Sequence, residues 1–237
     1  MILIFVIKKY MIKKFTIYGE RCSGTNYLQN LMNDNFEIEL TWEYGWKHFF
    51  GFQNDILKNS DDTLFLCIVR DPVDWINSFF RNPHHLPLNY KHGLTEIERL
   101  DEFLNKEFFS INDKENNYRK WDKEKMEDRH IYTGERYKNI YELRHIKIKW
   151  MLEELPKKVK HSIFIKYEDL LNDFENIMIQ IKNKGLIIKP EITFPLNSHR
   201  YKDTSNKYEK KINTIPNTMI INNSNLIREY EEKLGYI

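Results

Sequence analysis

The segment from Thr63 to Ser78 is the feature that most constrains the fold. It is a continuous apolar run that ends at Arg70, is interrupted by Asp71-Pro72 and continues as a helix. A run that is apolar throughout is typical of a strand buried on both faces, as in a parallel sheet. Ligands bind at the carboxyl ends of such strands. The segment therefore predicts an α/β fold with a ligand site near Arg70.

Two side chains of this segment are candidate anion ligands. The guanidinium of Arg70 can bind a phosphate through two parallel hydrogen bonds, and Ser78, eight residues further on, can reach the same anion. The alternative for Arg70 is an ion pair with Asp71 or Asp74. The alternative for Ser78 is a solvated or capping hydroxyl. The segment alone does not separate these interpretations.

A second anion-binding pattern lies near the start of the chain. Ser23-Gly24-Thr25 stands between an apolar run that ends at Tyr18 and a helical pattern that begins near Tyr27. A strand, a tight turn and a helix start direct backbone N–H groups and the positive end of the helix dipole at a bound anion. An N-cap serine with a turn glycine is the structural alternative. The loop lacks the G-K-[ST] ending of nucleoside-triphosphate loops, so ATP hydrolysis is not expected.

Taken in order, these segments resemble the sulfotransferases that use 3′-phosphoadenosine 5′-phosphosulfate (PAPS). The family's first loop reads approximately P-K-S-G-T-T-W, and its second reads R-[DN]-P with a serine eight residues after the arginine. The matching residues here are Arg21-Cys22-Ser23-Gly24-Thr25-Asn26-Tyr27 and Arg70-Asp71-Pro72 with Ser78. The strand and Y-E-D-L segment Ile163 to Leu170, and a terminal helix from Leu226 to Tyr236, also resemble the family. The resemblance runs from about Phe15 to the end of the chain.

The resemblance implies a three-layer α/β fold, in which a central parallel sheet is flanked by helices as in P-loop proteins. It implies transfer of a sulfuryl group from PAPS to a hydroxyl or amine of a glycan or small molecule, without a metal. By this resemblance the turn Ser23, Gly24, Thr25 and Asn26 holds the 5′-phosphate, and Arg70 and Ser78 hold the 3′-phosphate. Tyr27 stands at the family's adenine-stacking tryptophan. Arg200 and Lys202 resemble in character the family's late basic loop.

One departure concerns the cation beside the transferring group. The family usually carries lysine or arginine where this chain has Cys22, so we expect Arg21, one place earlier, or another cation to take that role. Lys47-His48 resembles the family's K-x-H segment without its middle residue. By that resemblance Lys47 stabilises developing charge and His48 accepts the acceptor's proton. The alternative is a histidine packed by its aromatic neighbours.

Composition bounds the remaining possibilities. A chain of 237 residues that is 41% hydrophobic can bury one substantial core, so we predict an extension over residues 1–13 and one domain over 14–237. A net charge of +2 gives no nucleic-acid signal. Two cysteines far apart indicate neither a metal site nor a disulfide framework and favour a cytoplasmic location. The apolar residues 1–7 are too few to span a membrane, and either Met1 or Met11 can be the start.

Two other functions stay open at this stage. A nucleotide or small-molecule kinase with a degenerate P-loop shares the strand, loop and helix, but it should carry a loop lysine and a magnesium-binding acid. A non-catalytic protein that binds adenosine 3′,5′-bisphosphate is compatible with Cys22 in place of the basic residue. Several aromatic residues could line the floor of a binding site for a sugar or phenolic acceptor, or could belong to the ordinary core: Tyr90, Tyr118, Trp121, Tyr132 and Tyr137.

Overall fold

A four-stranded sheet lies at the centre of the protein in the computed structural model, which describes residues 12–52, 54–87, 93–111, 124–192 and 209–237. The strands are β1 (Lys14–Tyr18), β2 (Glu39–Leu40), β3 (Thr63–Val69) and β4 (Ser162–Lys166). Their order across the sheet is β2-β1-β3-β4, and every neighbouring pair is parallel. The prediction of an α/β fold with a central parallel sheet flanked by helices is confirmed.

Helices occupy most of the connections between and after the strands. In chain order they are α1 (Thr25–Asn35), α2 (Asn54–Leu57), α3 (Pro72–Arg81), α4 (Glu96–Asn105), α5 (Ile140–Lys149), α6 (Leu155–Lys158), α7 (Tyr167–Asn172), α8 (Phe174–Lys182), α9 (Asn217–Ile221) and α10 (Glu229–Lys233). The long stretch from β3 to β4 contains α3 to α6, so it carries a large share of the helical layer.

Strand β3 shows why the sheet needs helices on both sides. All seven of its residues are buried. Leu64, Leu66 and Ile68 belong to one hydrophobic cluster, which also contains residues of α1, α7 and α8. Phe65 and Cys67 belong to a different cluster, which contains the end of α5 and the turn that follows it. Because side chains alternate along a strand, a continuous apolar run serves two cores at once.

Several element boundaries differ from the sequence prediction. The sequence from Tyr137 to Leu155 predicts one long helix, but the structure has α5, then a π-helical turn (Trp150–Glu154) and then α6. Pro156 has no N–H for an ordinary helical bond, which accounts for an irregular turn just before it. Apolar residues from Leu170 to Ile181 predict one amphipathic helix after Tyr167, but in the structure it divides into α7 and α8 at Asp173. The terminal helix is shorter than predicted, at Glu229–Lys233. The alternating segment Phe36 to Trp42 predicts the second strand, which in the structure is limited to Glu39–Leu40.

Some sequence predictions concern residues outside the described part of the chain. Arg200 and Lys202 lie there, as do Tyr90, Tyr118, Trp121 and nearly all of the predicted extension at residues 1–13. The boundary of the predicted domain at residue 14 stays a prediction. In the described ranges, no helix has both the length and the apolar character that a bilayer crossing requires.

Candidate active site

The segment Gly19 to Gly24, here called the β1 loop, joins β1 to α1 and leaves the start of that helix open. The Ser23 hydroxyl donates to the Glu20 carbonyl at 2.6 Å, so it does not cap the helix. Gly24 is the N-cap residue, and α1 has no side-chain cap and no acidic residue in its first turn. The first N–H groups of a helix lack intrahelical partners. The start of α1 therefore offers backbone donors to an anion.

Two residues of the β1 loop adopt left-handed backbone conformations. Cys22 has a φ of 64° and Gly24 a φ of 99°. A β-carbon at position 24 would lie 2.4 Å from Cδ2 of Tyr167, so a glycine is required there for space as well as conformation. Tyr167 in turn lies under the Arg70 guanidinium, whose Cζ is 5.0 Å from the ring centroid. The β1 loop, Tyr167 and Arg70 are therefore packed against one another.

Arg70 and Ser78 both contact Cys22, so the two predicted anion-binding segments meet. Arg70 Nη1 donates to the Cys22 carbonyl at 3.3 Å, and the Ser78 side chain hydrogen-bonds the Cys22 thiol. Burial raises the pKa of that thiol to about 11, despite the hydrogen bond from Ser78, so Cys22 is neutral at pH 7. Arg70 Nε is buried and has no hydrogen-bond partner within the described ranges.

The carboxylates expected as alternative partners of Arg70 also bind other groups, and of the two only Asp74 forms an ion pair with Arg70 in the described residues. Asp71 accepts hydrogen bonds from the backbone N–H groups of Val73 and Asp74 and so caps α3. The Asp74 carboxylate lies 3.6 Å from Arg70 Nη2 but only 2.6 Å from Lys210 Nζ. Arg70 therefore keeps hydrogen-bonding capacity at the carboxyl end of β3.

Lys47 and His48 follow β2 and lie against the β1 loop. The Gly19 N–H donates to the Lys47 carbonyl at 2.9 Å. Lys47 Nζ donates to the Asn26 side chain in the first turn of α1. Its ammonium also lies 5.4 Å from the Trp46 ring centroid, within cation–π range. These contacts place the Lys47 cation beside the open start of α1.

The ring of His48 has a fixed orientation. Its Nδ1 lies 2.7 Å from the Gly19 carbonyl. A carbonyl oxygen only accepts, so Nδ1 carries the proton and Nε2 carries the lone pair. Burial lowers the pKa of His48 well below its ordinary value, and the positive charge of Lys47 lowers it further. His48 is thus a neutral imidazole at pH 7 with an unprotonated Nε2, and it also packs edge-on against Phe49.

Arg21 is not placed as the sequence predicts. Its side chain is 2% exposed and bonds to protein acceptors: Nη1 donates to Ser110 at 2.7 Å and Nη2 to Asp128 at 2.9 Å. Nε and Nη2 also donate to Glu20. The guanidinium is therefore a structural cation, and its expected contact with the transferring group has no support in the structure. The physical reason is that two buried carboxylates require positive partners.

Lys147 completes a buried charge cluster that we define as Glu20, Arg21, Asp128 and Lys147. Lys147 Nζ lies 2.5 Å from both Glu20 Oε1 and Asp128 Oδ1. Burial alone would raise the pKa of Glu20, but the charges of Lys147 and Arg21 lower it overall, so the carboxylate stays ionised. With two cations and two anions, the charge cluster is neutral as a whole.

Tyr27 also departs from its predicted role. It is 3% exposed and belongs to the hydrophobic cluster between α1, α7 and α8. Its ring lies edge-on to Tyr167, with centroids 5.9 Å apart. Both ring faces are therefore enclosed by protein, so stacking on adenine is not supported. Of the aromatic residues predicted as floor or core, Tyr137 is completely buried and Tyr132 is exposed.

Two functional candidates on α5 escaped the sequence analysis, namely Arg144 and Lys147. Both are almost completely buried and are three residues apart. A signal for them exists, because Ile140, Leu143 and Ile148 mark the buried stripe of α5, and the two cations fall on the same stripe. A charged residue on the apolar side of a helix indicates a buried ionic partner.

Metal binding has no candidate in the part of the chain that the structure describes. Those residues contain no group of three or more histidine, cysteine, aspartate or glutamate side chains placed to hold an ion.

Comparisons with known proteins found similarity among solved structures but none at the level of sequence. No protein-family model matches the chain, and no curated protein matches it. Among solved structures, mouse sulfotransferase SULT7A1 complexed with PAP is similar, with 14% sequence identity and a TM-score of 0.39. The similarity covers 73% of this chain and 58% of that chain, so it spans little more than half of the solved protein. The assignment of the site residues therefore rests on the contacts described above and not on this similarity.

Proposed function

We propose that the protein transfers a sulfuryl group from PAPS to the hydroxyl of a glycan or small-molecule acceptor. The observation that carries the proposal is the meeting of the two loops at Cys22, where Arg70 binds the carbonyl and Ser78 the thiol. These loops are predicted separately from sequence and lie 48 residues apart at that contact. Their meeting creates one place with both backbone and side-chain donors for a ligand that carries two phosphates.

The residues present fit such a ligand. The uncapped start of α1 supplies backbone N–H groups for the 5′-phosphate side. The buried Nε of Arg70, which lacks a partner among the described residues, supplies a charge-assisted donor for the 3′-phosphate, beside the Ser78 hydroxyl. A buried guanidinium nitrogen without an acceptor is costly, and an anion at this position would remove that cost.

The proposed chemistry divides between His48 and Lys47. PAPS, when bound, supplies a sulfuryl group whose bond to phosphate oxygen breaks, leaving adenosine 3′,5′-bisphosphate. His48 Nε2 takes the proton of the acceptor hydroxyl as the hydroxyl oxygen bonds to sulfur. The Nδ1–H of His48 meanwhile keeps its hydrogen bond to the Gly19 carbonyl. Lys47 offsets the negative charge that develops on the departing phosphate side. Arg21 has no part in this step, because its guanidinium is committed to Glu20 and Asp128.

A second candidate is a protein that binds adenosine 3′,5′-bisphosphate without turnover. Two observations favour it, because catalysis of sulfuryl transfer requires positive charge beside the transferring group. Cys22 is neutral, and Arg21 is paired with Asp128, so Lys47 is left as the candidate cation for that role among the described residues. The kinase alternative loses its candidate magnesium ligand, because Asp71 caps α3. Cytoplasmic location and the absence of a nucleic-acid partner stay predictions.

Nucleotide selectivity tests the proposed ligand. Adenosine 3′,5′-bisphosphate should raise the melting temperature more than AMP or ATP, because stabilisation follows ligand affinity. Replacing Arg70 with Ala should cost about 2–4 kcal/mol of binding free energy and abolish the preference. Arg81→Ala, at the other end of α3, is the matched control and should keep it. Equal shifts with all three nucleotides in the wild-type protein would contradict the proposal.

Turnover separates the two candidates. Purified protein is incubated with ³⁵S-labelled PAPS and panels of glycans and hydroxyl-bearing metabolites. Labelled product that requires His48 supports the transferase. Selective bisphosphate binding, with no product across panels that a known sulfotransferase labels, supports the non-catalytic protein.

A further inference from the structure

We propose that α5 is a positioning helix, which aligns the two halves of the candidate site through Lys147 and Arg144. This inference rests on the proposed function and adds two residues to it. Each cation is buried, is held by carboxylates, and donates to the backbone carbonyl of a different site residue. Neither side chain contacts the open start of α1 in any bond that the structure shows, so both act through other residues.

Lys147 serves the half of the site that contains the base. Its ammonium has three donors, and the structure gives it three acceptors: Glu20 Oε1 and Asp128 Oδ1 at 2.5 Å each, and the His48 carbonyl at 2.7 Å. The His48 ring is held from its other side by the Gly19 carbonyl. Glu20 follows Gly19 directly, so Lys147 ties together both ends of the hydrogen bond that fixes the imidazole.

Arg144 fixes the half of the site that contains Arg70, the residue proposed to bind the 3′-phosphate. Its Nε donates to Glu231 Oε1 at 2.5 Å and its Nη2 to Glu231 Oε2 at 2.9 Å. The same Nη2 donates to the Arg70 carbonyl at 2.9 Å. Its Cζ lies 5.1 Å from the centroid of the Trp75 ring on α3. Arg144 therefore fixes the carboxyl end of β3, where Arg70 leaves the sheet, and Glu231 of α10 holds Arg144 in place.

The spacing on α5 links the two functions. Residues three apart on a helix lie on one face, so a single rigid element sets both carbonyls. Positions that hold reacting groups must be accurate to within about 1 Å, because such an error can cost about a hundredfold in rate. We expect each cation to control one half of the site: Lys147 the imidazole, and Arg144 the nucleotide affinity.

Charge-balanced variants test this division. Loss of one buried charge leaves its partner unpaired and endangers folding. Lys147→Met is therefore combined with Asp128→Asn, and Arg144→Met with Glu231→Gln, so each variant removes one cation and one anion. Lys149→Met is the matched control. It removes an ammonium from the same helix, and this ammonium contacts Tyr132 rather than His48 or Arg70. Cooperative urea unfolding establishes that each variant folds, and a variant that does not is replaced by Lys147→Arg or Arg144→Lys.

Two measurements are made on every variant. The tautomer of His48 is read from ¹⁵N chemical shifts of histidine-labelled protein, with His48→Gln to assign the signal. Affinity for adenosine 3′,5′-bisphosphate is measured by calorimetry. The Lys147 variant should lose the uniform Nδ1–H tautomer and keep affinity within about threefold of wild type. The Arg144 variant should keep the tautomer and lose about tenfold or more in affinity. The control should change neither.

The outcomes separate this inference from the function on which it rests. Equal effects of both variants on both readouts, or no effect, would overturn the division of roles. A wild-type protein without selective bisphosphate affinity would overturn the proposed function and the Arg144 half of the inference. The His48 spectrum would still decide the Lys147 half, because it requires neither nucleotide nor acceptor.

Discussion

The β1 loop and the two-residue turn Arg70–Asp71, here called the β3 loop, leave adjacent parallel strands at the same edge of the sheet, but they offer an anion different groups. The β1 loop is longer, is left-handed at Cys22 and Gly24, and leaves α1 without a side-chain cap. In the β3 loop, Asp71 caps the backbone N–H groups that begin α3. The first loop presents backbone, and the second presents the side chain of Arg70.

The difference shows that strand, turn and helix do not by themselves make an anion site. A carboxylate at the N-cap already satisfies the donors and the dipole of the helix start, as Asp71 does for α3. Only the uncapped helix keeps these features for a ligand. The four predictions below test this contrast between the two loops, from the largest expected effect to the smallest.

The largest effect should come from His48, whose ring is oriented by the β1 loop. Its replacement should reduce turnover without changing the binding of bisphosphate by Arg70. His48→Gln should reduce sulfuryl transfer by about 10²- to 10⁴-fold, the usual contribution of a general base, on an acceptor found in the labelled panel. Bisphosphate affinity should stay within about threefold. His161→Gln, a histidine that contacts neither loop, is the control. Near wild-type transfer by His48→Gln would return His48 to a packing role.

Gly24→Ala should distort the β1 loop where it packs against Tyr167. The new methyl group would lie 2.4 Å from Tyr167 and force a side chain onto a φ of 99°. We expect a loss of about 2–4 kcal/mol in unfolding free energy and about a hundredfold in bisphosphate affinity. Gly185→Ala has a similar φ of 92° with open space around it, so it should cost about 1 kcal/mol and leave binding unchanged. Equal costs would show that the close contact with Tyr167 is unimportant.

Asp71→Ala should affect stability rather than binding. Removal of the cap of α3 should lower the unfolding free energy by about 1 kcal/mol, and Thr95→Ala, which removes the cap of α4, should cost about the same. Calorimetry with adenosine 3′,5′-bisphosphate should show less than about a threefold change for both. A binding loss as large as that of Gly24→Ala would mean that Asp71 acts in the site, and the contrast between the loops would fail.

The smallest effect concerns pH. The folded pKa of His48 lies well below its unfolded value of 6.5, mainly because of burial. The unfolded chain therefore binds more protons as pH falls below about 7, and the unfolding free energy should decrease in that direction. His145 and His161 are shifted the same way. Urea unfolding at pH 7 and pH 6 should show that His48→Gln makes this decrease smaller by a measurable amount, on the order of 0.5 kcal/mol. An unchanged pH dependence would contradict a depressed pKa.

The core of the fold follows from short-range sequence patterns. The apolar run and Pro72 predict both the end of β3 at Val69 and the start of α3. Prediction fails where tertiary contacts decide the outcome. The alternating segment Phe36 to Trp42 predicts a full second strand, but the strand in the structure is limited to Glu39–Leu40, and Phe36 instead forms an isolated antiparallel bridge with Ile188. No local pattern marks where an edge strand stops pairing.

The candidate site is predicted in part for the same reason. Arg70 and Ser78 contact Cys22 of the β1 loop, His48 contacts Gly19 of the same loop, and Lys47 contacts Asn26 in the first turn of α1. Arg21 does not take its predicted place, because its partner Asp128 is 107 residues away and no local pattern shows that pairing. The place of Lys147 on the apolar stripe of α5 indicates a buried ionic partner, but the structure is needed to show that its partners are Glu20 and Asp128.

The neutral charge cluster constrains how this protein can change over evolution. Glu20, Arg21, Asp128 and Lys147 come from three distant parts of the chain, and replacement of any one leaves an unpaired charge in the interior. Single substitutions at these positions should be selected against, whereas compensated pairs can survive. In related sequences we therefore expect the four positions to be kept or exchanged together, even where the surrounding residues diverge.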